Sequence, residues 1–136
     1  MRVVLDTDCF MPERAHELDA GLDLRTPTSC DIPPGGSKII NTGVHVQIPE
    51  GFAGVIISKS GLNMKHGIIA TGLIDAGYTG PIKVKLYNMG TELYRFDRGD
   101  KVTQMVIIPV MAPSLEQVDA LDYTDRGDSG FGSSGR

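Results

Sequence analysis

The chain has 136 residues, 40% of them hydrophobic, with 13 basic side chains against 17 acidic ones and a formal charge of -4. That composition fits one domain with one core and leaves no room for a second, and it lacks the basic run that tracks a nucleic-acid backbone, so stable nucleic-acid binding is not expected. No apolar run nears the roughly eighteen residues of a membrane span, and the opening "MRVVLDTDCF" lacks the apolar stretch of a secretion signal, so the expectation is a soluble, cytoplasmic protein.

Along the chain the dominant signals are strands. "KIINTGVHVQIP" (38 to 49), "AGVIISKS" (53 to 60), "IKVKLYN" (82 to 88) and "KVTQMVIIPV" (101 to 110) are rich in Val and Ile, and several alternate with a period near two. Turn signals separate them: "PPGG" (33 to 36), "PEG" (49 to 51), "AGYTG" (76 to 80) and "MGTE" (89 to 92), at the spacing of an all-β sandwich or barrel. One short helix is predicted in "SGLNMKHG" (60 to 67), with Ser60 placed to cap it and Gly67 to end it. From Asp122 onward the apolar pattern fails, which divides the sequence into a β body over 1–121 and an arm over 122–136. Met105, Ile107, Ile108, Val110 and Met111 are more apolar side chains than one strand face should carry. A subunit contact and a strand buried on both faces both account for them.

Cys9 and Cys30 make no C-x-x-C pair, and His16, His45 and His66 have no metal-ligand rhythm, so neither set supports a zinc site. Five other segments combine glycine with polar residues that packing alone does not require: "AGLDLRT" (20 to 26), "SKSGL" (58 to 62), "TGLIDAGYTG" (71 to 80), "RGDKVTQM" (98 to 105) and "RGDSGFGSSG" (126 to 135). Singly, each has a plain reading. Asp23 can point outward from a strand, Asp75 can accept N–H bonds at its own turn, and Gln104 can be an exposed strand residue. The two "RGD" triplets are chance matches to an adhesion motif. The tail spells G-x-G-x-x-G at Gly130, Gly132 and Gly135, but a dinucleotide site needs a strand before and a helix after. By itself that tail reads as a loose end or a Gly/Ser linker.

Together and in this order, the five segments resemble the motifs of the trimeric dUTPase family, from Ala20 to Gly135, most specifically in "GLIDAGYTG" and "RGDSGFGSSG". The resemblance implies an all-β, distorted jelly-roll-like barrel with one short helix and a flexible C-terminal arm. It further implies a homotrimer with shared sites, and Mg2+-assisted hydrolysis of dUTP to dUMP and pyrophosphate, which limits uracil in DNA and supplies dUMP for dTMP synthesis. Asp75 would be the general base that holds the attacking water. Asp23 would hold the metal through a water. Lys59, Ser60, Gly61 and Gln104 would contact the phosphates, and Arg126 would fork onto the γ-phosphate. Tyr78 would pack on the deoxyribose. Uracil would meet the hairpin around Gly72, Leu73, Ile74 and Lys83, with Phe131 stacked on its face. Gly132, Ser133 and Ser134 would wrap the phosphates, so that the tail of one subunit becomes the lid of a site on its neighbours.

Two positions depart from the family pattern. The second motif usually carries Pro-Arg-Ser-Gly, and here Ser58-Lys59-Ser60-Gly61 keeps the charge but loses the planar fork. Some members place an Asn where this chain has Ile69, which points to backbone-only recognition of uracil. A related deaminase of dCTP shares the third motif, but it needs a glutamate on the next strand, where this chain has Lys83 and Lys85. A dUTPase-like binding protein without catalysis is the other alternative. It is disfavoured because every catalytic position is filled. The motifs leave open a cellular or a phage source acting in the host cytoplasm.

Overall fold

The computed structural model describes residues 1–128. Its strands are β1 (Arg2–Leu5), β2 (Gly21–Arg25), β3 (Cys30–Ile32), β4 (Ser37–Asn41), β5 (Val44–Gln47), β6 (Phe52–Ile57), β7 (Ile68–Ile74), β8 (Lys83–Asn88), β9 (Tyr94–Phe96) and β10 (Lys101–Pro109), with one helix, α1 (Ser60–His66). Every named pairing is antiparallel. A six-stranded sheet in the order β2-β10-β6-β7-β8-β4 curls into a half-barrel, accompanied by the pairs β1-β5 and β3-β9. The expected all-β class with one short helix is what the chain adopts.

Period-two patterning explains most of it. In β8, Val84, Leu86 and Asn88 point inward while Lys83, Lys85 and Tyr87 point out. Leu24, Ile32, Val44, Ile56, Ile68, Ile82, Leu86, Phe96 and Met105 meet in a single core. The buried polar groups are partnered: Thr42 donates its hydroxyl to Ile82 O at 2.8 Å, and the Asn88 amide donates to Ile32 O and Glu92 O, both at 2.8 Å.

Three local expectations are corrected. The run 38–49 is two strands in different sheets, because Gly43 takes φ +63° and turns the chain there; a Cβ at Gly43 would lie 2.2 Å from Cys9 Sγ. The helix is capped one residue early, by Lys59 rather than Ser60. The ladder stops at Ser58, whose hydroxyl accepts from Ala70 N at 2.9 Å, so that Lys59 is the next residue and takes the cap position. Gly67 ends the helix as expected, in the left-handed region at φ +67° with its N–H on Asn63 O. Third, strand β10 breaks alternation. Its register on β2 slips between Lys101 and Thr103, so Val102 and Thr103 are both buried. Of the apolar cluster at its end, Met105 is core, whereas Ile108, Val110 and Met111 are exposed.

Candidate active site

The β10 bulge prepares the first half of the site. By inserting one residue opposite β2, it sets Gln104 against Asp23 across the ladder and swings Lys101 round to reach the same carboxylate. Asp23 is only 3% exposed, so its outward reading is overturned. It stays ionised because Lys101 Nζ lies 2.7 Å from Oδ2 and Lys59 Nζ donates to Oδ1. Burial pushes the Asp23 carboxyl upward, but the bonds and charges of Lys101 and Lys59 outweigh it and hold the group below the ordinary carboxylate range. Glu13 extends the chain of charges, taking Arg25 on one side and Lys101 at 3.7 Å on the other.

Gly21, the glycine of "AGLDL", is explained by the same contact. A Cβ there would sit 2.1 Å from Gln104 Oε1, so only glycine lets the Gln104 side chain lie across β2, where its Nε2 donates to Ser58 O at 3.2 Å. Asp23, Lys59, Ser60, Gly61, Gln104 and Gly21 thus line one cavity of about 390 Å3. Three of the predicted phosphate contacts, Lys59, Ser60 and Gly61, enter it from the start of α1, where the first N–H groups have no partner inside the helix.

The second half lies elsewhere. Leu73, Ile74, Asp75, Tyr78 and Lys83 line a smaller hollow of about 180 Å3 at the turn between β7 and β8. Gly80 leaves room for the Tyr78 ring there: a Cβ would stand 2.6 Å from the Tyr78 hydroxyl, which folds back to donate to Pro81 O at 2.9 Å. Tyr78 N closes the turn on Asp75 O at 3.0 Å. Gly72 is different: a Cβ would touch Ile56 only at 3.5 Å, an ordinary contact, so nothing within the chain demands glycine. A bare backbone on an exposed strand face is what a ligand's close approach requires.

Sequence reading places these residues in one site, and a single chain does not bring them together. Ser58 is level with Ala70, while Ile74 is level with Gly54, so the two hollows sit at opposite ends of the β6–β7 ladder. At about 3.3 Å per residue that is roughly 15–20 Å. Arg126 lies in an exposed stretch that runs from Ile108 to the end of the described residues. Phe131, Gly132, Ser133 and Ser134 lie outside the described residues. Two functional-site features escaped the sequence reading: Lys101 as the second cation on Asp23, and His45, which donates from Nδ1 to Thr79 O at 2.8 Å beside the Asp75 turn.

The donor set fits Mg2+ only as an ion carried in with a ligand. Mg2+ keeps several waters and is held by substrate phosphates with one or two carboxylates. Among the described residues no three His, Cys, Asp or Glu form a cage, and both Asp23 oxygens already accept a lysine. The remaining lone pairs suit a metal-bound water.

The dUTPase family model matches residues 7–135. The chain is 42% identical to a deoxyuridine 5'-triphosphate nucleotidohydrolase of Corynebacterium glutamicum over 98% of this chain and 93% of that one. It is 40% identical to the same-named protein of Gloeothece citriformis, covering 96% and 92%. Among solved structures, a mutant dUTPase of Staphylococcus bacteriophage 80alpha with dUpNHpp superposes at a TM-score of 0.91, with 32% identity over 99% of this chain and 98% of that one. A mutant dUTPase from phage phi11 of S. aureus, with a structural Mg(II) ion, gives 0.82 at 31% identity, covering 90% and 98%. On the family match and on these identities over nearly its full length, the chain belongs to the dUTPase family.

Proposed function

We propose that this protein hydrolyses dUTP to dUMP and pyrophosphate in sites assembled between copies of the chain. One observation carries the shared site: Asp75 and the Lys59-Ser60-Gly61 segment lie about 15–20 Å apart along one ladder. In-line attack at the α-phosphorus needs the water-holding carboxylate and the phosphate donors around the same atom, so they must come from different copies. The surface favours association. Ile39 (61% exposed), Leu73 (61%) and Met89 (68%) are large apolar side chains on the body that a contact between copies would cover. A homotrimer, as in the family pattern, satisfies both.

In this reading Asp75 orients a water and takes its proton as the water attacks. Lys59, the backbone N–H of Gly61, Ser60 and Gln104 hold phosphate oxygens and stabilise charge as it develops. Mg2+ would come in on the triphosphate and be held through a water by Asp23, where it would supply positive charge to offset that of the leaving pyrophosphate. Tyr78 packs where a 2'-hydroxyl would project, which excludes ribonucleotides. The exposed backbone around Gly72, Leu73, Ile74 and Lys83 reads the uracil edge, and a cytosine amine would leave a buried partner unpaired. Arg126 and Phe131, from the arm of residues 122–136, cover the γ-phosphate and the base. Such an enzyme limits uracil in DNA and supplies dUMP for dTMP synthesis in the cytoplasm of a cell or phage-infected host.

The test is pyrophosphate release with Mg2+ from dUTP, dCTP, dTTP and UTP in parallel. Turnover of dUTP alone is expected. Ammonia from dCTP would point to deamination instead, and silence with all four would end the catalytic reading.

A further inference from the structure

His45 is half-buried on β5, and both of its ring nitrogens are engaged. Nδ1 is 2.8 Å from the carbonyl oxygen of Thr79, and Nε2 is 3.1 Å from Asp6 Oδ1. A carbonyl and a carboxylate can only accept, whereas a neutral imidazole carries one N–H. Both contacts are hydrogen bonds at once only when the ring carries two protons. Asp6 is itself fixed, its N–H donating to Gly43 O at 2.8 Å. The other partner, Thr79, belongs to the turn that holds Asp75 and Tyr78, and the contacts within that turn are local: Tyr78 N on Asp75 O, and the Tyr78 hydroxyl on Pro81 O.

We propose that His45 is a positioning residue: as an imidazolium it ties the turn carrying Asp75 and Tyr78 to the segment after β1, and that tie loosens when the ring gives up a proton. The inference rests on the roles proposed above for Asp75 and Tyr78. The Thr79 carbonyl favours the charged ring, partial burial opposes it and Asp6 favours it again, which together hold the pKa above the ordinary value of 6.5. The groups facing His45 can be named. From β1 and the segment after it come Arg2, which lines the same hollow with Gln47 and Thr79, and Asp6. From the turn comes the Thr79 carbonyl; Asp75 and Tyr78 are the titratable side chains carried by that same turn. Arg2 is the cation lining that hollow. The sign follows: the tie is complete at low pH and is lost as pH rises through the raised value.

The chain has three histidines, so a proton NMR titration resolves His45, assigned with His45→Asn. His45 is expected to titrate above 6.5, and Asp6→Asn to lower that midpoint. With dUTP and Mg2+, the wild-type kcat should fall about two- to tenfold, the worth of one hydrogen bond, as pH rises through the same midpoint. His45→Asn places an amide N–H where Nδ1 stood, so its kcat should stay flat through that window. His45→Ala should be low at every pH. A His45 midpoint at or below 6.5 that Asp6→Asn leaves unmoved would overturn the proposal, as would His45→Ala turnover equal to wild type at every pH. Wild-type protein that leaves dUTP intact would overturn the activity itself, and turnover that His45→Ala shares would overturn only the role of His45.

Discussion

Asp23 and Asp75 are carboxylates of two hollows in the same chain, and their surroundings are opposite. Asp23 is 3% exposed, with Lys59 and Lys101 on its two oxygens and Glu13 and Arg25 behind them. Asp75 is exposed on a turn, and the hydrogen bonds of that turn run through backbone atoms and Tyr78 rather than through its carboxylate. The first is already balanced, and the second still faces solvent. A buried, doubly paired carboxylate fixes the position of other groups. An exposed one suits the water-holding role proposed for Asp75.

The largest effect should come from the exposed carboxylate. Asp75→Asn keeps the shape and removes the base, so turnover of dUTP should drop by about 10^2–10^4-fold while nucleotide affinity and melting temperature hold. Steady-state kinetics beside dUpNHpp binding by calorimetry separates the two, and activity retained in full would break the assignment. Asp23→Asn should do the reverse, costing stability first. It leaves two ammonium groups without their anion, worth about 2 kcal/mol once discounted for lysines that can swing into water. Because Asp23 titrates below its unfolded value, the stability it adds is complete above about pH 4 and is lost as pH falls through the lower folded value. Urea midpoints of wild type and Asp23→Asn should therefore converge in acid. Parallel curves down to pH 2.5 would mean that the pairs add nothing.

A smaller effect is expected at Gly80. The Cβ of Gly80→Ala would stand 2.6 Å from the Tyr78 hydroxyl and 2.7 Å from Cζ, so the ring must leave its place. KM for dUTP should rise about tenfold, the equivalent of one displaced packing contact and hydrogen bond. Discrimination against UTP should weaken with it, because the same ring is proposed to exclude the 2'-hydroxyl. An unchanged ratio of kcat/KM for dUTP over UTP would remove Tyr78 from sugar selection.

These glycines show what was legible in the sequence. Gly21 and Gly80 flag their sites because each makes room for a polar side chain nearby, Gln104 and Tyr78, so the motif is the imprint of a contact. The barrel class was legible because strands such as β8 alternate cleanly. What depended on distant partners was hidden. Asp23 lies between Leu22 and Leu24 and reads as solvent-facing until the β10 bulge brings in Lys101 from the far end of the chain. His45 sits in an alternating strand like any other polar residue, and its partners Asp6 and Thr79 are on other elements. The early helix start follows from the ladder stopping at the Ser58 hydroxyl, a choice that local pattern does not encode. That the site is shared between copies was implied by the family resemblance, but which residues fall in which hollow was not: motif order carries no distances, and the register of β6 on β7 sets the two hollows apart.

The smallest predicted change tests the departure from the family pattern. Lys59→Arg restores the usual residue, and a guanidinium is the better partner for phosphate and for carboxylate when both of its prongs can bond. Here the second prong meets an occupied place, since Asp23 Oδ2 already holds Lys101 at 2.7 Å. A fork on Asp23 would have to displace Lys101 toward Glu13, now 3.7 Å away, and would gain one ion pair by weakening another. Lys59→Arg alone should therefore change KM by less than about threefold, the scale of one exposed ion pair. Combined with Lys101→Met, which vacates Oδ2, the arginine should lower KM relative to Lys101→Met alone. If Lys59→Arg by itself restores a tenfold tighter KM, the two lysines do not compete for Asp23, and the phosphate-side hollow is less tightly balanced than its distances indicate.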